Sequence, residues 1–243
     1  MLDQTPAVLD HAPSLSEILP LSAPHLSDVL HLQKIVVDAL EPERKNVMIP
    51  KNREQFHVRM TDWGRMCGIF AEHEGRRDLI AYGILAMPND SWPVADMILS
   101  PKNLPCNPNA LGVLQNAVVH PCYRNHGVHP QLVAARIEIC FKLNRQHIMS
   151  EIAVSNPASL KGLLKLGFNV ISADTDPSDG CRLFFVHREA ASVQPACSES
   201  TIWINPEKEY ERTSQLLAHG YKGTSIMRSG KTNGYLLALH PSS

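Results

Sequence analysis

The stretch NAVVHPCYRNHGVHPQLVAARIEICF, residues 116–141, constrains the fold of this chain more than any other. It begins as an apolar strand, breaks at His120-Pro121 into a short polar loop, and continues as an amphipathic helix. The first N–H groups of a helix have no intrahelical partner and carry the positive end of its macrodipole, so a loop that feeds one is an anion site. Asn125, His126, Gly127, Val128 and His129 bring backbone donors to that place. Gly127 lets the backbone approach a ligand closely, and Arg124 adds a charged donor suited to phosphate.

Local donors matter because the chain has no broad field. Lys and Arg number 23 against 24 Asp and Glu, a net charge of −1. No cationic surface is available for a nucleic-acid backbone or an anionic membrane, so neither is an expected partner. No run approaches the ~20 apolar residues of a membrane helix. Asp3, Asp10 and Glu17 stand where a signal peptide is basic and then apolar. The six cysteines form no CxxC pair, which reads as reduced thiols in a cytoplasmic protein.

Residues 1–23, rich in Pro and Ser and without a sustained period, read as an N-terminal arm. His25–Leu40 carries apolar residues at three- and four-residue spacing and predicts a helix; Lys51–Thr61 predicts a shorter one. Met66–Glu72 and Leu79–Met87 read as a hairpin around the polar HEGRRD. Gly112–His120 predicts a strand, Pro130–Leu143 a helix with Leu132, Arg136 and Leu143 on one side, and His147–Ser155 a further strand. Asn156-Pro157 opens a helix, because Asn caps free N–H groups and Pro fits the first turn. Gly167 closes it and Phe168 folds back on it. Phe168–Ala173 and Arg182–His187 read as strands.

Val119-His120-Pro121, Tyr123-Arg124, Gly127-Val128 and, further on, Asn156 with Gly167-Phe168 resemble the GNAT superfamily of acyl-CoA-dependent N-acetyltransferases. Residues 24–190 follow that family's element order. Its loop pattern, Arg/Gln-x-x-Gly-x-Gly/Ala, binds the pyrophosphate of coenzyme A. The resemblance implies an α/β (mixed α+β) fold, a central mixed sheet flanked by helices, with acetyl-CoA as co-substrate. It implies that strand 114–119 holds the thioester and pantetheine arm through the backbone of Val118 and Val119. Arg124, Asn125, His126, Gly127, Val128, His129 and Asn156 are then the coenzyme contacts.

Two positions depart from the family pattern. His129 stands where Gly or Ala is usual, and its ring either donates to the pyrophosphate or blocks it. Leu163 stands where many members place the tyrosine that protonates the departing thiolate, which leaves Tyr123 or Ser155 as candidate donors. Attack of an amine on a thioester needs a base, a polarised carbonyl and that proton. The strand offers Gln115 and Asn116 in place of a carboxylate, so His120, Glu151 and Asp96 are the candidate bases. Each also reads as an ordinary hydrogen-bonded surface group. His120, Cys122, His126 and His129 are zinc-ligand types within ten residues. A helix start points such side chains in different directions, and no metal is assigned.

The expected activity is acetyl transfer from acetyl-CoA to a primary amine of an unidentified small molecule or peptide. A non-catalytic acyl-CoA-binding module and transfer of a longer acyl chain are the alternatives.

Residues 191–243 read as a C-terminal extension, in which 202–240 echo 152–187. Asn205-Pro206 answers Asn156-Pro157, and Leu216-Leu217 with Gly220-Tyr221 answers Leu163-Leu164 with Gly167-Phe168. Four extra residues read as one more helical turn. The pattern is either a half-domain repeat or any capped helix between strands. As a repeat it is expected to extend the sheet or pair with a second subunit in a homodimer, to shape the acceptor pocket, and to bind no second coenzyme.

Overall fold

A computed structural model describes residues 14–41, 48–61, 63–73, 75–93, 97–99, 104, 106–190, 201–230 and 234–242. The elements are β1 (Ser14–Leu15), β2 (Leu19–Leu21), α1 (Leu26–Asp38), α2 (Arg53–Arg59), β3 (Gly64–His73), β4 (Arg76–Ala86), β5 (Leu111–Val119), α3 (Val128–Lys142), β6 (His147–Ala153), α4 (Pro157–Lys165), β7 (Asn169–Thr175), β8 (Arg182–Glu189), β9 (Ile202–Ile204), α5 (Tyr210–Ala218), β10 (Tyr221–Arg228) and β11 (Tyr235–Pro241). All strands join one mixed sheet in the order β1-β3-β4-β5-β6-β8-β7-β10-β11-β9, with β2 also on β3. Its one parallel pair among the described residues is β5 with β6. Among the described residues no helix is long and apolar enough to cross a membrane.

Helix α1 buries Leu26, Val29, Leu32 and Val36, the face its spacing predicts. Residues 14–21, read from the sequence as the end of an arm, instead pair with β3 at Leu15↔Ala71 and Leu21↔Met66. Strands of two and three residues are too short to show a period. The hairpin strands run on to His73 and Arg76, which pair across the turn. Their tips project past the core and are therefore polar, which made them look like loop.

Helix α3 starts two residues before Pro130. Gly127, at φ 75°, is its N-cap, and the left-handed backbone there suits a residue without a Cβ. Its inner face is Leu132, Val133, Arg136, Ile137 and Cys140. Leu143 lies past the last turn and is exposed. For α4 the local signals hold: the Asn156 side chain accepts from Ser159 N–H at 3.2 Å. At its other end Gly167, at φ 84°, lets Phe168 N–H reach Leu163 O.

β5 and β6 pair only at Leu111↔His147, Gly112↔Ile148 and Val113↔Met149. Beyond that the ladder stops, although Ser150 Oγ still donates to Leu114 O at 2.9 Å. β5 also carries a bulge at Asn116, opposite the step from Gly83 to Ile84 in β4.

The β9–α5–β10–β11 unit reproduces the layout of β6–α4–β7–β8, register included. Asn169, Val170 and Ser172 face His187, Val186 and Phe185, with Ile171 bulged out. Lys222, Gly223 and Ser225 face His240, Leu239 and Ala238, with Thr224 bulged out. β10 joins β7 antiparallel at Gly223↔Val170. Each of these two residues is third after its turn glycine, Gly220 or Gly167, so a local twofold axis passes between them. Helices α4 and α5 have equal length, nine residues. The four extra residues thus form a turn, where the Asn205 side chain accepts from the N–H groups of Glu207 and Lys208, and not a further turn of helix. Both units share one core, in which Leu164, Phe168, Val170 and Phe184 pack with Ile204, Leu217, Leu237 and Leu239.

Candidate active site

The gap between β5 and β6 opens into a cavity of about 780 Å³. Its rim is the loop before α3. Asn125 and Gly127 are both left-handed, at φ 66° and 75°, and alternation of this kind curls successive N–H groups into an anion-binding concavity. The first helical bond runs from Gln131 N–H to Gly127 O, and Pro130 has no N–H. The N–H groups of Val128 and His129 therefore have no acceptor within the helix. Arg124, Asn125, Gly127, Val128 and His129 line the cavity, as does Asn156. His126, expected with them, is exposed and does not, because the left-handed residues on either side turn it out to solvent.

His129 lies on the cavity wall beside α4. Its ring packs on α4, where a Cβ added to Gly162 would lie 3.6 Å from Nδ1. Burial, and then the charge of Arg136, push it down to about 4, so it is neutral near physiological pH. Val118 and Val119 also separate. His120 N–H donates to Ile80 O, and bonded pairs alternate along an antiparallel ladder. Val118, two residues back and opposite Tyr82, therefore turns its N–H to β4, whereas Val119 turns its backbone away from β4, toward the gap.

Beneath the rim Glu151 lines the cavity from β6. Its Oε2 accepts from Leu99 N–H at 3.0 Å. Burial raises its pKa above the ordinary carboxylate value, and the Leu99 bond and the charge of Lys51 pull the other way. Beside it Gln115 accepts from Arg59 Nε at 2.7 Å and donates to Met97 O at 2.6 Å, while Arg59 lies over the Trp92 ring. Lys51 lines the same cavity. Its backbone is clamped by Gln33, whose amide donates to Lys51 O and accepts from Lys51 N–H, both at 2.8 Å. Burial, with Arg59 adding, pushes the Lys51 amine down to about 8. Sequence reasoning missed Lys51; the signal was Gln33, a polar side chain on the apolar stripe of α1.

Arg136 shapes the β5 side. Fully buried, it donates from Nη1 to Ile84 O and Gln115 O and from Nε to Leu132 O, so it holds the carbonyls freed around the bulge. It fits because Gly83 has no side chain: a Cβ there would stand 2.7 Å from Arg136 Nε. Gly83→Ala is expected to destabilise the fold by about 1–3 kcal/mol. In an Arg136→Met background the same change is expected to cost measurably less; urea unfolding of the four proteins checks both statements.

Tyr123 lines the cavity; His120 and Ser155 do not. The ring of His120 accepts from Cys122 N–H and packs edge-on against Tyr123, which makes it a loop brace. Ser155 is exposed, and Asp96 lies outside the described residues. The His120, Cys122, His126 and His129 set does not bring three ligand atoms together. No residue of the tail lines the cavity among those described.

A mixed sheet parted between its two parallel strands, with a helix start at the mouth of the gap, is the fold of the GNAT class of acetyltransferases. The model described as the acetyltransferase (GNAT) family matches residues 33–168, more than half of the chain, and the protein belongs to that family. No curated protein matches it by sequence. Among solved structures it is similar to the ribosomal-protein-S18-alanine N-acetyltransferase from Escherichia coli, at 16% identity and TM-score 0.52 over 77% of this chain and 98% of that one. It is similar to a GCN5-related N-acetyltransferase from Kribbella flavida, at 16% and 0.51 over 72% and 97%. The NatC complex bound to Gag peptide and CoA gives 16% and 0.54 over 72% and 98%. At such identities these likenesses show the fold.

Proposed function

We propose that the protein transfers an acetyl group from acetyl-CoA to a primary amine of a small molecule or peptide, by direct attack of the amine on the thioester. The observation that carries this reading is the ladder that ends at Val113↔Met149 and opens into a cavity rimmed by free helix N–H groups. A long, thin co-substrate with one anionic end suits that shape. Its pyrophosphate would meet the guanidinium of Arg124, whose own N–H is bonded to Pro121 O, and the backbone of Asn125, Gly127, Val128 and His129. Val119, not Val118, would offer its backbone to the thioester. CoA is bound in one solved protein of this fold.

Glu151 is the proposed base. It lies in the cavity, and a carboxylate with a raised pKa accepts a proton more readily than an ordinary one. Tyr123 is the proposed donor to the thiolate, since Ser155 does not reach the cavity and Leu163 takes the family tyrosine's place. Calorimetric titration of the protein with acetyl-CoA and with CoA is expected to show saturable binding of both. Absence of binding by either removes the proposal. Thiol release across a panel of amines and peptides then separates an enzyme from an acyl-CoA-binding module, which predicts binding without release.

A further inference from the structure

A second group of ligand-type side chains lies at the far end of β6. His147 opens that strand opposite Glu189 of β8, and His187 stands opposite Met149, two residues along. Side chains alternate along a strand, so His147, His187 and Glu189 share one face. His147 Nδ1 and His187 Nε2 face each other at 3.2 Å, and Glu189 Oε1 is 3.9 Å from His147 Nδ1. Among the described residues this is the one group of three His, Cys, Asp or Glu whose ligand atoms all lie within 4.8 Å of one another.

We propose that His147, His187 and Glu189 bind a divalent transition-metal ion of the zinc type, at a site separate from the acyl-CoA cleft. Zinc–nitrogen bonds of about 2.0–2.1 Å in a tetrahedral set hold two nitrogens about 3.3–3.4 Å apart, and the two rings stand nearly at that separation. Their centroids are 5.4 Å apart with planes 12° from parallel. With the nitrogens at 3.2 Å, so long a centroid distance sets the rings edge to edge, and both nitrogens point into the space between them. Without metal, that space holds a hydrogen bond from one ring to the other.

Two paired strands fix the spacing of the three Cα atoms, so little ordering is left for the ion to impose. His187 is buried at 7% exposure, so the packing around it holds its ring in place. Glu189 is exposed, so its carboxylate is free to swing toward the two rings. Two imidazoles and one carboxylate are a zinc-type donor set with one position left for water. Glu151 is four residues along β6, about 13 Å away, so the ion would fasten β6 to β8 without touching the cleft.

The full-length protein, stripped with chelator, is titrated with Zn²⁺ by calorimetry and with Co²⁺ by visible absorption. Binding of a single ion is expected, with His147→Gln and Glu189→Gln each weakening it at least about tenfold. Thermal unfolding in chelator is expected to show a cooperative transition for both variants. Histidine-ring NMR is expected to place the change on His147 and His187. No saturable binding, or a loss of less than tenfold in both variants, overturns the proposal, because zinc is then held elsewhere or not at all.

Discussion

Deletion of residues 191–243 is expected to leave a chain that collects in the insoluble fraction and shows no cooperative melt. Read from the sequence alone, 24–190 is a complete domain. In the folded chain the tail supplies Ile204, Tyr210, Leu217, Tyr235, Leu237 and Leu239 to the core that holds Phe168, Val170, Phe184 and Val186. Burial of each such side chain contributes ~1.5–3 kcal/mol, and the residues left behind lose matching cover. The sum, on the order of 10 kcal/mol, is comparable to the ~5–15 kcal/mol that holds a whole domain together. Polar ties go as well, since Tyr235 donates to Val154 O at 2.8 Å and Tyr210 to Asp174 O at 2.5 Å. The deletion also bares the β7 edge, an open template for aggregation. A soluble truncated protein that melts cooperatively within a few degrees of the full chain would refute this.

Glu151→Gln is expected to lower kcat/KM for acetyl transfer by about 10²–10⁴-fold, the usual contribution of a positioned base, and to leave coenzyme binding unchanged. The pH dependence carries its own sign. The folded protein holds the Glu151 proton to a higher pH than the unfolded chain does. Ionisation therefore lowers stability as pH rises from the ordinary carboxylate value through the raised one, and that loss is complete above it. Activity moves the opposite way and rises through the raised value as the base forms. The amide keeps an acceptor for Leu99 N–H and carries no charge, so the variant is expected to be no less stable than the parent at neutral pH. Equal loss of activity and stability would mean that Glu151 only supports the fold.

What the sequence disclosed follows the range of each interaction. The cap at Asn156 and the turn at Gly167 are signals within one helix, and both were readable. The gap between β5 and β6 leaves no local mark; it was reached only through resemblance to a family. Lys51 depends on Gln33, eighteen residues earlier, and His147 meets His187 forty residues later. No periodicity reports such meetings. The placements of Val118, with its N–H toward β4, and of His126, outside the cavity lining, were not legible for a further reason: which way a backbone N–H or a loop side chain points is decided by strand pairing and by left-handed residues, neither of which residue type declares.

At the seam between β7 and β10 the chain meets its own echo. Two identical subunits joined there would each bring a valine to the axis, but Val170 faces Gly223. A Cβ at Gly223 would stand 2.9 Å from that of Val170. A protein assembled from identical copies must make every change twice, whereas one carrying both halves in a single chain can amend either alone. Opposite Phe185 stands Glu151; at the matching place opposite Ala238 stands Trp203. One half carries at that place the carboxylate proposed as the base, and the other carries an indole in its stead.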